Sequence, residues 1–418
     1  MISDPLGVVL ERSALSSLYS IVIPTRERPD VLRHTIKTVL KQTRSNYELV
    51  IMDNGGSPAT RAVVEELDDP HIRYFRSPTS LNMTDSWEQA LGHATGDYVT
   101  ILGDDDGMMP DAVEVAERLH RDHPDDVLSW MPFMWVWPDA VVKAVRGLTQ
   151  IHFGSHVEVR SSRSFLQDLL ASRADFRTLP TLYCSFVPRR LIDDVRSRFG
   201  GQFFVESSPD IFSGMAVLGT TERFLYSYRP LTVTGLSRHS TGLSHWYVEG
   251  EAGDRFYSEH SEQMAAVDPR FRGLGLIVEV MVANCYLKGV QRFFPDDGGL
   301  TFDMEAFLHR VCAYPGRFAR RWDEFTACVR EMAELNGLDP AQFELRPPRR
   351  PPGSIGFHYE LDPARNLTTV TYHTDPRRVP TIAEFVADTA RLCLPAGALG
   401  IRDTRSMGAG GPPARSRA

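Results

Sequence analysis

The first 130 residues alternate short apolar runs with amphipathic ones, and that alternation constrains the fold more than any other feature of the chain. Ser20–Pro24 (SIVIP) reads as a short buried strand. Asp30 then opens a helix whose apolar positions Leu32, Ile36, Val39 and Leu40 share one face. Tyr47–Met52 (YELVIM) predicts a second strand, followed by a helix over 59–67, a strand over 72–75, a helix over 84–94 and a strand over 98–102. Repeated strand–helix–strand units imply a mostly parallel, buried sheet with helices on both faces. Ligands of such sheets sit at the carboxyl ends of the strands, near where strand order reverses. Pro24-Thr25, Asp53-Asn54 and Asp104-Asp105-Asp106 all fall at such ends. The aspartate triplet is the sharpest irregularity, because adjacent carboxylates repel and one is enough to cap the helix expected from Asp111.

Beyond this region the pattern is mixed to about residue 228, with strand-like VLSWM and LPTLYCSFV and helices near 161–171, 188–198 and 210–219. After 250 it turns helical, over 255–266, 274–293, 303–313 and 317–336. The run from Leu274 to Phe294 is apolar almost all round, which suits a core helix or a homodimer contact. RPPRRPPG at 346–353 reads as a linker. FHYEL and TTVTYH read as a hairpin through Asp362-Pro363, 381–394 as an amphipathic segment, and the last fifteen or so residues as disordered. The expected organisation is an N-terminal extension (1–17), an α/β domain (18–249), a helical C-terminal region (250–345), and a linker, small hairpin/helix segment and tail (346–418).

Of the 418 residues, 42% are hydrophobic and 24% charged, as in an ordinary soluble globular protein, and the net charge of -8 argues against nucleic acid as main partner. Five cysteines, an odd number with no CxxC, fit a reducing cytoplasm. The N-terminus lacks the basic start and long apolar stretch of a signal peptide, and no uninterrupted apolar run reaches membrane-spanning length. The aromatic run Trp130–Trp137 is too short to span and contains Pro132. HExxH, a Cys/His cluster and GxSxG are all absent, which disfavours zinc and serine hydrolase chemistry.

SIVIPTRERPDVLRHTIKTVLKQT, YELVIMDNGGS and ATGDYVTILGDDDGMMPD, in that order and spacing, resemble the nucleotide-sugar half of a family 2 glycosyltransferase of the GT-A fold. The resemblance covers about residues 18–125 and continues more loosely to about 245. It implies a GT-A α/β fold and metal-dependent, inverting transfer from a UDP- or dTDP-sugar to a hydroxyl of a small molecule or glycan. Mn²⁺ or Mg²⁺ would be held by Asp106 together with the diphosphate. Asp104 and Asp105 would hold the ribose, with Asp104 sharing the metal. Aspartate suits this chemistry as a hard oxygen ligand, and a bound cation relieves the repulsion within the triplet. Gly103 stands where the commoner D-x-D-D motif has its first acid.

By the same resemblance Pro24, Thr25 and Arg26 face base and ribose, and Asp53 and Asn54 read the imide edge of uracil or thymine. Arg76 approaches a phosphate, and Asn82 and Asp85 line the donor pocket. Plain alternatives stand beside these: Asp53-Asn54-Gly55-Gly56 as a turn, Asp85 as a helix cap, Arg76 as a solvated arginine. The general base is expected at a helix start in QFFVESSPDIFSGMAVLG, with Asp210 first and Glu206 second, although Ser-Ser-Pro-Asp is also good capping chemistry. In GLSRHSTGLSHW, His239 is the candidate metal ligand, and Arg238 could serve the diphosphate instead. Two other functions compete. A sugar-nucleotide-forming nucleotidyltransferase would need a Gly-rich loop after the first strand, where PTRERPD has no glycine. A non-catalytic sugar-nucleotide-binding or scaffold protein would use the helical region as its interaction surface.

Overall fold

The computed structural model describes residues 17–247, 255, 256, 258–260, 266–347 and 357–403. Most of the N-terminal extension, most of the proline-rich stretch and the tail beyond 403 lie outside them. The expected α/β units form nearly as read: β1 (Tyr19–Thr25), α1 (Pro29–Val39), β2 (Tyr47–Asp53), α2 (Pro58–Leu67), β3 (Ile72–Arg76), α3 (Met83–His93) and β4 (Tyr98–Ile101). β3, β2, β1 and β4 pair parallel in that order, as residues buried from both faces dictate. Ile21, Val22 and Ile23 of β1 are fully buried, each contributing about 1.5–3 kcal/mol. Pro24 is tolerated because the pairing of β1 with β4 ends at Val22 and Ile101. There β4 parts from β1 and runs on into the three aspartates.

The parallel block continues into a nine-stranded sheet through β10 (Ser185–Pro188), β6 (Val127–Trp130), β11 (Arg223–Ser227), β9 (His156–Ser161) and β15 (Gly400–Asp403). A second, six-stranded sheet runs in the order β13 (His358–Asp362), β14 (Leu367–His373), β8 (Leu148–Phe153), β7 (Phe133–Val136), β12 (Thr232–Leu236) and β5 (Gly107–Met108). The sequence reading did not foresee this sheet. Short turns carry the chain between the sheets: Met131-Pro132 between β6 and β7, Arg229-Pro230 between β11 and β12, and Asp104–Asp106 between β4 and β5. The aromatic run is thus two strands broken at Pro132, with Trp130, Phe133, Trp135 and Trp137 buried.

The long helix Val278–Phe293 proves to be core. One side meets α7 (Pro209–Thr220), where Met215 fills the space against Gly289 and Phe293 lies against Gly219. Its other side, through Val280 and Ala283, joins the cluster of Phe307, Phe325 and Met332 from helices Met304–Val311 and Trp322–Leu335. Its all-round apolarity is therefore used within the chain. The hairpin β13–β14 adds to β8, β15 adds to β9, and helix Ile382–Thr389 covers β7 and β8, so the C-terminal segment completes both sheets. Among the described residues no helix is long and apolar enough to cross a membrane.

Candidate active site

The triplet is the crossing from β4 to β5, and all three carboxylates are buried. The hydroxyl of Thr35 on α1 lies 2.9 and 2.7 Å from the carbonyls of Asp104 and Asp106, which fixes the turn from beneath. Asp104 accepts from the Thr25 hydroxyl at 2.7 Å and from the Arg28 guanidinium at 3.0 Å. Asp105 accepts from the Ser237 amide at 3.0 Å, and its carbonyl takes the Trp137 indole N–H at 2.9 Å. Asp106 accepts the amides of Gly235 at 2.7 Å and Gly103 at 3.0 Å, and the Tyr183 hydroxyl also bonds to it. Burial, and then the charge of Asp104, push the Asp105 carboxyl up to about 6. Burial, and then the charge of Asp105, push Asp106 up to about 8.

Two glycines make this geometry possible. A Cβ on Gly103 would sit 2.3 Å from Oη of Tyr183 and 2.7 Å from Oδ2 of Asp106. The volume an acidic side chain at 103 would need is held by Tyr183. A Cβ on Gly235 would lie 1.8 Å from the Asp105 carbonyl oxygen, so β12 approaches the triplet as closely as only glycine allows.

Thr25, Asp53 and Arg76 stand in register across β1, β2 and β3. Asp53 is fully buried and accepts from the Gly56 amide at 2.9 Å and the Tyr74 hydroxyl at 2.7 Å. The Asn54 side chain both donates to the carbonyl of Leu81, at 2.9 Å, and accepts from its amide, at 2.8 Å. These groups fasten two loops at the strand ends and leave little of either side chain to read a base. Arg76 donates to the Gly56 carbonyl, and Arg26 pairs with Glu259 at 2.8 Å. Asn82 is the N-cap of α3: it accepts the Asp85 amide and donates to the Asp85 carboxylate, both at 2.9 Å.

The two candidate bases differ sharply. Glu206 is buried and clamped to the long helix by Lys288 at 2.8 Å and Arg292 at 2.6 Å. Asp210, in the first turn of α7, is partly exposed, and among the described residues it accepts from the amides of Ile211 and of Asp210 itself. Burial pushes its carboxyl above the ordinary range. The turn Leu182–Cys184 bridges β4, which leads into the triplet, and α7, which carries Asp210. Its Leu182 carbonyl accepts from Thr100 on β4 at 3.1 Å, and its Leu182 amide donates to Ser213 on α7 at 2.9 Å. The Cys184 thiol is held high by burial first, then by the charges of the Asp106 and Asp210 carboxylates.

His239 follows Ser237 on the rim, with Nε2 3.6 Å from Asp30, and burial, then Arg28, lower its pKa. A neutral imidazole is the form that ligates metals. Arg238 pairs with Asp30 at 2.7 Å. Among the described residues no three His, Cys, Asp or Glu side chains converge as a metal cage. Mg²⁺-type sites use one or two carboxylates and complete their shell with substrate phosphates and water, so the donors present fit such an ion. Arg28, Tyr183, Gly235 and Ser237 were missed from sequence. Arg28 had a signal, as the second arginine of PTRERPD; the others meet the triplet only through the second sheet and the 182–184 turn.

Residues 20–133 match the profile of glycosyl transferase family 2. The chain is 33% identical over 100 residues to the putative colanic acid biosynthesis glycosyl transferase WcaA of Escherichia coli K12, covering 23% of this chain and 36% of that protein. It is 30% identical over 98 residues to the E. coli UDP-Glc:alpha-D-GlcNAc-diphosphoundecaprenol beta-1,3-glucosyltransferase WfgD, covering 23% of this chain and 39% of that one. The matched part thus spans about a third of the length of these curated relatives. Among solved structures, S. aureus TarS 1–349 in complex with UDP-GlcNAc aligns with a TM-score of 0.43 at 13% identity, over 78% of this chain and 89% of that one.

Proposed function

With residues 20–133 a glycosyl transferase family 2 domain, we propose that the whole chain is an inverting glycosyltransferase. It moves a sugar from a UDP- or dTDP-sugar to a hydroxyl of a glycan or small molecule. One observation carries the reading: the turn 182–184 is hydrogen-bonded both to β4, which runs into the buried aspartate triplet, and to α7, whose first turn carries Asp210. The WfgD relative is a UDP-Glc-dependent glucosyltransferase by name, which supports UDP as the carrier. The acceptor is left as a class because the match falls in the donor half. Five free cysteines support a reducing, cytoplasmic setting.

In this mechanism Thr25 and Arg28 hold Asp104 at the carboxyl ends of β1 and β4, where the ribose and diphosphate would lie. Arg28, partly exposed, can turn from Asp104 to a phosphate oxygen. Asp106, tied to two backbone amides, sets the orientation of the other two carboxylates. Mn²⁺ or Mg²⁺, held by the triplet with His239 at the rim, would neutralise the departing diphosphate. Asp210 takes the proton from the acceptor hydroxyl as that oxygen attacks the anomeric carbon on the face opposite the diphosphate. Glu206 and its two cations fix the segment that carries Asp210. Asp53 and Asn54 shape the base pocket mainly through the loops they tie.

The triplet makes a pH-dependent prediction. Asp105 and Asp106 have folded pKa values above the usual 3.8, so the folded state binds their protons more tightly than the unfolded state does. Their stabilising protonated form is complete below about 4 and is lost as pH rises through about 6 and about 8. The metal-free chain therefore loses this contribution over that range. Mn²⁺ or Mg²⁺ favours the ionised form, so the rise in Tm on adding either ion should be larger at pH 8 than at pH 5. Melts showing equal gains at both, or none, contradict metal binding at the triplet.

A further inference from the structure

β13 forms one edge of the six-stranded sheet, and its outer side has no strand partner among the described residues. Phe357, Tyr359 and Leu361 are 75%, 61% and 61% exposed and alternate along the chain, so they project from one face. Tyr359 lies opposite Val370 of β14, which lies opposite Ile151 of β8. Ile151 and Val370 belong to the apolar layer beneath helix Ile382–Thr389. The exposed stripe is therefore a core layer running out past its helical cover. Edge strands are commonly guarded by lysine, proline or a bulge. β13 has none: HYELD pairs with β14 through five consecutive residues.

We propose that β13 pairs with β13 of a second copy of this chain, antiparallel about a twofold axis at Tyr359. The edge is self-complementary in that register. Tyr359 meets its own copy, Phe357 meets Leu361 of the second copy, and His358 meets Glu360 of the second copy. Apolar positions fall opposite apolar ones on one face, and a basic residue falls opposite an acidic one on the other. Neighbouring registers are worse. Centring on Glu360 sets two carboxylates face to face, and centring on Leu361 sets Tyr359 against Pro363, which has no N–H to donate. The pairing joins the two six-stranded sheets into one continuous sheet. β5, which follows the aspartate triplet, is at the opposite edge of the sheet, away from the pairing.

Sedimentation velocity on the full chain between about 1 and 100 µM, ample for a micromolar edge contact, tests this. Wild type should show concentration-dependent dimer. Tyr359→Lys, which sets two ammonium groups at the axis, should weaken dimerisation at least tenfold with the thermal midpoint of the monomer unchanged. His358→Glu alone should weaken it, and the exchange of His358→Glu with Glu360→His should restore it, because the pairs then swap places. A monomer throughout, a dimer indifferent to Tyr359→Lys, or an exchange no better than the single change overturns the proposal. So does a dimer that survives Tyr359→Lys but is lost on deleting residues 2–16, which would make that segment the contact.

Discussion

Asp210→Asn should lower the turnover of sugar transfer by about 10²- to 10⁴-fold, the range for a positioned general base, while donor binding stays within about twofold of wild type. The amide keeps the shape of the carboxylate, and among the described residues no side chain forms an ion pair with Asp210, so the fold should be undisturbed. The wild-type rate should rise with pH as Asp210 loses its proton, with a midpoint above the ordinary 3.8 because burial disfavours the charged form. The residual rate of the variant should lack that acid limb. Steady-state kinetics with release of the nucleoside diphosphate as the readout checks both. Full turnover in the variant would remove Asp210 as base. Lost transfer with lost donor binding would point instead to a structural role for the first turn of α7.

Among the described glycines, Gly235→Ala should be the most damaging added methyl group. The added Cβ would fall 1.8 Å from the Asp105 carbonyl oxygen, a backbone atom in a turn held on the other side by Thr35. Either β12 moves away, breaking the Gly235 amide bond to Asp106, or the triplet moves and Trp137 loses its acceptor. A cost of about 1–3 kcal/mol is the range for forcing atoms into a filled site. Donor binding should fall with it, because the carboxylates lose their orientation. Gly298→Ala, with no atom within 4 Å of the added carbon, is the control and should change neither. Chemical denaturation and nucleotide titration separate the two effects; equal behaviour of both variants would contradict the close approach described here.

The helices and strands from β1 to β4 were legible because each carries its own hydrophobic period. The triplet was legible because three adjacent carboxylates serve no local purpose. The second sheet was not, since β5 has two residues, β7 follows β6 after two, and only tertiary pairing sets them apart. The satisfied state of Asp53 and Asn54 was equally hidden: Tyr74 and Leu81 lie more than twenty residues away along the chain. Glu206 looked like Asp210 in the sequence, both being acids near a helix start. What separates them is Lys288 and Arg292, two of the cations on a helix some eighty residues further on. Gly103, standing where the commoner motif has its first acid, leaves the space that Tyr183 fills.

The central claim is that the crossing from β4 to β5 is where a nucleoside diphosphate sugar and its divalent ion bind. Thermal melts with UDP- and dTDP-sugars, with and without Mn²⁺, on wild type and on Asp105→Asn, test it most directly. A nucleotide sugar at about a hundred times its dissociation constant should add about 2.7 kcal/mol of stability to the wild type. That gain should require Mn²⁺ and should be lost in the variant. No metal-dependent gain from any of these nucleotides, or the same gain in Asp105→Asn, would contradict it.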